Sequence, residues 1–467
     1  MNNLTSRQRK LAYAAGILLL LFPIVILGAP AAKDVGVDDK SLSGGSGLLA
    51  RMRVEHDLGE ATLGNVDPSS AAMNLVLLGL RGPAAGLLHL QAIDYQERKD
   101  WAKLAATVDS ITLLQPHYVQ IWKFQGWNLA YNVSREWDKV DDRFYWVKQG
   151  IKFLQEGTRK NQTIAILYHT VGENITKKMN TSDEKKFFRE FFVKDPDTEK
   201  FDGGADSEIN PSGSDSNLVA YEWFTTANEK DDAFGMTGMT HVFFRQGPSK
   251  ARLTYAEMRQ KDGYFDQENR AAWEAGYDEW MNVYGVYEFK GLNEWKYKLN
   301  STPEDIVVMA RENGISVDEQ REVHSRNVNM VHYRFWADYA DAERDEETMV
   351  AHRTTYEAKR AFLEGRGFNS VDAEGKTTIS EAQQKLEEAM GLWIRVFEKY
   401  PNMLTNNDSY REEALSIVHY WYVVHETNGT TPADTFPLKS LWDSHPEVRP
   451  EIQRQFLLDT MRAKRNN

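Results

Sequence analysis

Large apolar residues that recur every three or four positions are the feature that most limits how this chain can fold. Five of them fall on one face of an α-helix by this spacing: Trp273, Tyr277, Trp280, Met281 and Tyr284. Two later stripes repeat it: Val328, Val331, Phe335, Tyr339 and Ala342, then Ala382, Leu386, Ala389, Met390, Trp393, Val396 and Phe397. Alternating patterns typical of strands are scarce, so the sequence predicts a mainly α-helical fold.

The helices have the spacing of helical hairpins. The chain of 467 residues is longer than a domain with one hydrophobic core usually is. This length favours one extended repeat array or two to three packed units. In a tetratricopeptide repeat, a Pro ends one helix pair and a Trp opens the next. We therefore predict hairpins that resemble degenerate tetratricopeptide repeats. Their fold-determining residues are Pro116, Trp122, Gly126, Trp127, Tyr131, Trp393 and Pro401.

The segment 11–29, LAYAAGILLLLFPIVILGA, carries no charge and follows a basic flank at residues 1–10. Its length comes near the roughly 20 residues with which an α-helix crosses a bilayer. The sequence therefore predicts a single transmembrane helix, with the basic flank in the cytoplasm and the body exported. Cleavage near Ala31 is the alternative, because Ala29 and Ala31 satisfy the small-residue rule of signal-peptide sites.

Composition divides the chain after this segment. A stretch containing SLSGGSG predicts a flexible stalk, and a run rich in Gly, Pro, Asp and Ser predicts a long polar loop. The predicted regions are a stalk at 30–70, a helical tetratricopeptide-like domain at 71–193, the polar loop at 194–217, a mixed and partly helical region at 218–302, and a helical domain at 303–467.

Charge and cysteine content exclude several classes of function. The 56 Lys and Arg against 69 Asp and Glu give a net charge of −13, which argues against a nucleic-acid partner. With no cysteine, the chain has no disulfide, thiol nucleophile or Cys-ligated metal. No HExxH, GxSxG or dinucleotide-binding fingerprint occurs, so we expect no catalytic residue, metal or cofactor.

Three amides stand out in the aromatic stretch IWKFQGWNLAYNVSREWD at 121–138. Gln125, Asn128 and Asn132 recur at i, i+3 and i+7, which places them on one helix face. They are candidate ligands for the backbone of a bound peptide, because repeat arrays bind on such surfaces. Two alternatives are that the amides satisfy buried backbone groups nearby, and that the tryptophans form a platform for sugars.

Two acidic clusters occur, each with basic residues beside it. The first contains Asp138, Asp141 and Asp142, and the second contains Asp338, Asp341 and Asp345. Clustered carboxylates suit Ca²⁺ or Mg²⁺. The flanking Arg and Lys instead favour surface ion pairs.

Three phrases in order resemble one protein family: WKFQGWNLAYNVSREWDKVDDRFYWVKQGIKFLQEG, YAEMRQKDGYFDQENRAAWEAGYDEW and VNMVHYRFWADYADAERDEETMVAHR. They resemble a planctomycetal family of uncharacterised, membrane-anchored, exported helical proteins. Its members often carry an "iron-responsive element" label, which names an RNA feature that nothing in this sequence supports. The resemblance implies location and architecture, and it brings no established catalytic residues.

These observations predict a membrane-anchored, extracytoplasmic helical scaffold that binds a protein or peptide in the cell envelope. The alternative is an envelope enzyme or glycan-binding protein that uses the aromatic helix 121–134 and nearby acidic residues. A groove lined by the three amides would favour the scaffold. A deep, closed pocket holding Asp138 and Asp142 would favour the enzyme.

Overall fold

The structure is a computed structural model that describes residues 81–235, 239–291, 293–371, 373–374 and 377–466. It confirms a mainly α-helical protein, because the described strands form only two short antiparallel pairs. The predicted basic flank, transmembrane helix and stalk lie outside these residues. No helix among the described ranges is both long and apolar enough to cross a bilayer.

The chain divides into two compact units between Met239 and Thr240. The helices described in the first unit are α1 (Arg81–Glu97), α2 (Trp101–Leu114), α3 (Val119–Trp127), α4 (Val140–Lys160), α5 (Ala165–Thr181), α6 (Lys185–Val193), α7 (Thr198–Phe201) and α8 (Ser216–Phe234). Between α3 and α4 lie a π-helix at Asn128–Asn132 and a 3-10 turn at Val133–Glu136.

The second unit is also built from helices. They are α9 (His241–Arg245), α10 (Gly247–Lys261), α11 (Gln267–Glu279), α12 (Pro303–Asn313), α13 (Val317–Met330), α14 (Tyr333–Glu343), α15 (Glu346–Leu363), α16 (Glu381–Lys399), α17 (Pro401–Asn406), α18 (Asp408–Thr427), α19 (Lys439–Ser444) and α20 (Arg449–Asn466). A π-helix at Trp280–Tyr284 extends α11. Strands β1 (Phe289–Lys290) and β2 (Lys296–Tyr297) pair antiparallel, as do β3 (Ser370–Val371) and β4 (Thr377–Thr378). The region 218–302, predicted to be mixed, is therefore mostly helical.

The predicted polar loop at 194–217 is held against α4 by buried ion pairs. Lys148 Nζ lies 2.5 Å from Asp195 Oδ2, and Lys152 Nζ lies 2.9 Å from Asp206 Oδ2. Asn210 Nδ2 donates a hydrogen bond of 2.9 Å to the Phe192 carbonyl. The segment is irregular, as its composition predicts, apart from the short helix α7. The buried Asp195 and Asp206 therefore fix the segment to α4 rather than solvate it.

The last two predicted apolar stripes differ in whether they lie on one helix. All seven members of the stripe from Ala382 to Phe397 are buried, and α16 ends at Lys399 before Pro401 begins α17. The stripe from Val328 to Ala342 does not lie on one helix, because His332 takes a left-handed conformation with φ 51° between α13 and α14. In the second unit, the Trp393 indole Nε1 donates 2.9 Å to Thr355 Oγ1 within the core.

One backbone carbonyl fixes the start of α3. The Trp122 indole Nε1 donates a hydrogen bond of 2.8 Å to the carbonyl of Pro116, and Asn161 Nδ2 donates one of 3.0 Å to the same oxygen. Pro116 precedes α3 and Trp122 lies in it, whereas Asn161 follows α4. The shared carbonyl therefore ties the two helices together at one end, as the spacing of Pro116 and Trp122 suggests.

Glycine permits α3 and α4 to approach each other closely. A Cβ added at Gly126 would lie 2.4 Å from Leu154 Cγ, and one added at Gly150 would lie 2.6 Å from the Gly126 carbonyl oxygen. Atoms do not approach this closely in a packed core. Leu154 is fully buried, so it has little room to move. Both glycines are therefore required by packing.

We predict that Gly126→Ala destabilises the first unit by about 1 to 3 kcal/mol, because the added methyl overpacks a filled site. The free energy of urea unfolding, followed by tryptophan fluorescence, measures the effect. Gly86→Ala is the control, because a Cβ at Gly86 in α1 meets nothing within 4 Å. This control is expected to be neutral or stabilising. Equal effects of the two substitutions would contradict the proposed close contact.

Candidate functional site

The helix that begins at Val119 changes its winding where the candidate amides lie. It widens into a π-helix over Asn128–Asn132 and then tightens into a 3-10 turn. π-helical turns are rare, and they often mark functional sites. Two of the three candidate amides, Asn128 and Asn132, are the first and last residues of this π-helix.

The three amides lie in one row and bond to one another. Asn132 Nδ2 donates a hydrogen bond of 2.9 Å to Asn128 Oδ1, and Asn128 Nδ2 donates one of 3.3 Å to Gln125 Oε1. Gln125 and Asn128 are buried, whereas Asn132 is half-buried. The first two amides therefore satisfy each other inside the unit, a partnership that the sequence alternatives did not include. Asn132 is the member that reaches the surface.

Asn132 lines an open cleft of about 470 Å³ beside the end of α1. The lining combines apolar, amide and charged side chains: Ile93, Gln96, Glu97, Lys99, Trp101, Asn132, Arg135 and Glu136. Across this lining, Lys99 Nζ lies 2.8 Å from Glu136 Oε1. Glu97 and Arg135 are exposed and form no ion pair with a described residue. The cleft thus offers apolar surface, an amide and unpaired charge together.

Trp127 lies outside the core, and Tyr131 is half-buried. The Trp127 side chain is 49% exposed, and its ring stacks on Tyr131 with centroids 5.5 Å apart. The prediction that Trp127 determines the fold by packing is therefore wrong. It lies five positions after the buried Trp122, about 140° further around the helix.

A smaller cavity of about 250 Å³ lies at the start of α4. It is lined by Asp141, Asp142, Phe144, Tyr145, Lys148, Asp195, Pro196 and Asp197. Asp138 is exposed and does not line it. Because the cavity is open and lacks Asp138, it does not match the closed pocket expected for an enzyme.

The acidic clusters differ in their partners. In the second cluster, Asp341 Oδ1 lies 2.6 Å from Arg344 Nη2, and Asp345 Oδ1 lies 2.7 Å from Lys399 Nζ. In the first cluster, none of the three carboxylates forms an ion pair with a described residue, since the neighbouring Arg143 binds Glu184 instead. Ion pairing therefore explains Asp341 and Asp345 of the second cluster, where Asp338 accepts a hydrogen bond from Asn402, but it does not explain the first cluster. Among the described residues, no group of three His, Asp or Glu side chains is placed to hold a metal ion.

The second unit contains a buried polar network that sequence reasoning missed. His352 Nε2 lies 3.1 Å from Glu343 Oε1, and His352 Nδ1 lies 3.0 Å from Glu413 Oε2. Gln260 Nε2 donates 3.0 Å to Glu343 Oε2, and the Trp273 indole Nε1 donates 3.0 Å to Gln260 Oε1. The five residues lie on five different helices, so no local motif marks them.

Two carboxylates control the charge of this histidine. Burial alone would lower the pKa of His352, but the neighbouring Glu343 and Glu413 overcome burial and raise the pKa to about 10. Both ring nitrogens then donate hydrogen bonds, so a charged imidazolium bridges two acids. Trp393 and Tyr410 pack edge-on against the ring. The arrangement crosslinks α14, α15 and α18, and it leaves neither nitrogen free for acid-base chemistry.

Comparison with known proteins does not assign the chain to a family. No protein-family model, no curated protein and no solved structure matches the chain. A function for it is therefore inferred from its residues and their contacts.

We predict that the contribution of His352 to the stability of the second unit falls as the pH rises from about 6.5 to about 10. Over this range the folded His352 keeps its proton, whereas an unfolded histidine, with a pKa near 6.5, has lost it. Unfolding therefore releases a proton from this histidine, and its contribution to stability decreases by at most about 1.4 kcal/mol per pH unit. Urea unfolding at a series of pH values measures this slope.

His352→Gln is expected to lower stability at pH 6.5 and to shift the slope of stability against pH upward relative to the wild type, because the lowered pKa of Lys250 acts in the opposite direction in both proteins. His332→Asn is the control, because His332 is exposed and Asn tolerates its left-handed backbone. A His352→Gln variant that keeps the wild-type slope would contradict the assignment.

Proposed function

We propose that this chain is a helical scaffold that binds a protein or peptide partner in the cell envelope, with the cleft beside Asn132 as its binding surface. The observation that carries the proposal is the amide at the mouth of that cleft. Asn132 Nδ2 donates to Asn128, while Asn132 Oδ1 accepts no hydrogen bond from a described residue. A free amide acceptor beside apolar side chains complements the backbone N–H and the side chains of an extended peptide.

A recurring turn supports the proposal of degenerate tetratricopeptide-like repeats. The residues that end α2, α4 and α16 are Gln115 (φ −141°, ψ 73°), Asn161 (φ −130°, ψ 62°) and Tyr400 (φ −124°, ψ 68°). In each turn the N–H of this residue donates a hydrogen bond to the carbonyl four positions earlier. Its own carbonyl accepts a hydrogen bond from the N–H of the residue three positions later. Proline follows two of the three and disfavours the α-helical conformation in the residue before it.

The uncharged segment 11–29 supports a membrane anchor, with Arg7, Arg9 and Lys10 on the cytoplasmic side. We predict that chain purified from the membrane fraction keeps this segment. Mass spectrometry of its N-terminal peptide tests this. A mature protein that starts at residue 32 would instead show cleavage after Ala31 and a secreted body.

A glycan-binding role is the second candidate, and exposed aromatic rings favour it. Trp137 stacks on Trp146 with centroids 6.2 Å apart, and Tyr145 lies edge-on to Trp146 at 5.5 Å. Trp137 and Tyr145 are exposed, and Tyr145 borders the small cavity that holds Asp141 and Asp142. Aromatic faces beside carboxylates suit sugar rings and their hydroxyls. Binding of envelope oligosaccharides that Trp137→Ala abolishes would support this candidate.

We predict that a photoreactive side chain in place of Glu97, at the rim of the cleft, crosslinks a partner polypeptide in native membranes. The same side chain at Gln162, an exposed position outside the cleft lining, is the control and is expected to give no such product. Crosslinked products that are absent, or identical from both positions, would contradict a binding cleft at this place.

Asn132→Ala is expected to reduce the crosslinked yield from position 97. Loss of one hydrogen bond weakens binding by about 1 kcal/mol, or about fivefold. Gln162→Ala, which removes an exposed amide elsewhere in the unit, is expected to leave the yield unchanged. Equal yields from Asn132→Ala and the wild type would show that this amide does not contact the partner.

A further inference from the structure

The outer face of α1 is apolar and exposed. Leu87 and Leu90, which lie one turn apart on this face, are 70% and 64% exposed. The opposite face carries Ala85 and Ala92, which are buried in a hydrophobic core of the first unit. The helix is therefore apolar on both sides, a pattern typical of helices that are covered on both sides.

No described residue packs over the backbone of this face. Gly82 and Gly86 lie on the same side of α1 as the two leucines, and a Cβ added at either glycine would meet nothing within 4 Å. At Gly126 in α3, by contrast, an added Cβ would overlap a neighbouring helix. The outer face of α1 is thus open, and whatever covers its leucines comes from outside the described part of the chain.

The lack of charge on α1 indicates the chemistry of the missing contact. From Gly82 to Ile93 the helix contains no Asp, Glu, Lys or Arg, and the first charge is that of Asp94, which pairs with Arg98. The ten residues before α1, AAMNLVLLGL at 71–80, are also uncharged. Protein interfaces usually carry a polar rim around their apolar centre. Three helical turns without charge instead suit the acyl-chain boundary of a lipid bilayer.

The position of α1 in the chain favours a bilayer over a second protein. Residues 30–80 separate the proposed membrane helix at 11–29 from α1. A flexible chain of this length spans about 40 Å between its ends on average. The anchor would therefore hold α1 beside the bilayer at a high effective concentration, whereas another protein reaches this face only by diffusion. Lipid is the occupant that the connectivity of the chain favours.

We propose that the outer face of α1, which carries Leu87 and Leu90, lies on the lipid surface of the membrane that holds the anchor. The leucines enter the boundary between headgroups and acyl chains, about 5 to 10 Å deep, as in other interfacial helices. The contact ends where Asp94 brings charge to the helix. The inference rests on the membrane anchor proposed above.

This orientation also brings the cleft close to the bilayer. Glu97, which lines the cleft, lies two turns after Leu90, about 10 Å along the helix axis. The two residues also share a side of α1, because two turns return a side chain to the same face. The polypeptide that binds in the cleft is therefore one that lies near the membrane surface.

The test uses the full chain reconstituted in phosphatidylcholine vesicles. Because the sequence contains no cysteine, Leu87→Cys takes up a single environment-sensitive fluorophore. Lipids that carry a nitroxide near the headgroup end of the acyl chain are expected to quench this fluorophore strongly. Lipids with the nitroxide near the methyl end are expected to quench it less. The same fluorophore at Gln162→Cys, an exposed position between α4 and α5, is the control and should show little quenching by either lipid.

Leu90→Glu is expected to reduce the quenching at position 87, because a carboxylate is costly at the lipid boundary. Gln162→Glu adds the same charge elsewhere in the unit and should leave the quenching unchanged. Both positions are exposed, so both variants should keep the unfolding midpoint of the parent protein, which separates loss of lipid contact from loss of fold.

Three results would overturn the proposal. The first is a fluorophore at position 87 that neither nitroxide quenches but that is shielded from aqueous iodide, which would show that residues 1–80 cover the face. The second is an emission spectrum at position 87 that changes with protein concentration, which would show that a second copy covers it. The third is stronger quenching by the nitroxide near the methyl end, because α1 would then be inserted in the bilayer and not lie on it.

Failure of this lipid contact and failure of the proposed function give different results. If the N-terminal segment is retained and position 87 is not quenched, the lipid contact is wrong and the anchor stands. If the mature protein starts at residue 32 and position 87 is quenched on added vesicles, the contact stands and the anchor is wrong. If position 87 is quenched but no partner crosslinks at position 97, the contact stands and the scaffold function is wrong.

Discussion

The first unit depends on how closely α3 approaches α4. At Gly126 and Gly150 the two backbones are so near that a single methyl group would overlap Leu154 or a backbone carbonyl. At the other end of the contact, the Pro116 carbonyl accepts hydrogen bonds from both Trp122 and Asn161. Such a tight, doubly fixed contact leaves little freedom for the chain that follows α3. The π-helix, the amide row and the cleft all follow it directly.

The amide row shows how buried polarity can position a surface group. Amides in the interior must be satisfied, and here Gln125 and Asn128 achieve this by bonding in a row that ends at Asn132. The outermost amide is therefore anchored through its nitrogen, while its oxygen remains available. A side chain that is held in this way loses less conformational entropy when a ligand binds.

Buried charge is handled in two ways in this protein. Lys148 and His352 are each matched by carboxylates, and they join distant segments within their units. Lys178 and Lys250 are instead placed against aromatic rings, with the Lys250 ammonium 2.9 Å from the Trp336 ring centroid. Carboxylates keep a buried cation charged, whereas contact with an aromatic ring offsets only part of the cost of burial, and the pKa values of Lys178 and Lys250 are lowered.

The sequence by itself determined the helical class, the end of α16 before Pro401 and the roles of Pro116, Trp122 and Gly126, because periodicity, proline and glycine act through local geometry. It also placed Gln125, Asn128 and Asn132 on one face. Only the tertiary structure decided that Trp127 is exposed, that two of the amides are buried, that Arg143 leaves the first acidic cluster for Glu184, and that Glu343, His352 and Glu413 meet. These outcomes depend on which residues from distant helices come into contact, and a burial or charge balance set by such contacts has no local signature.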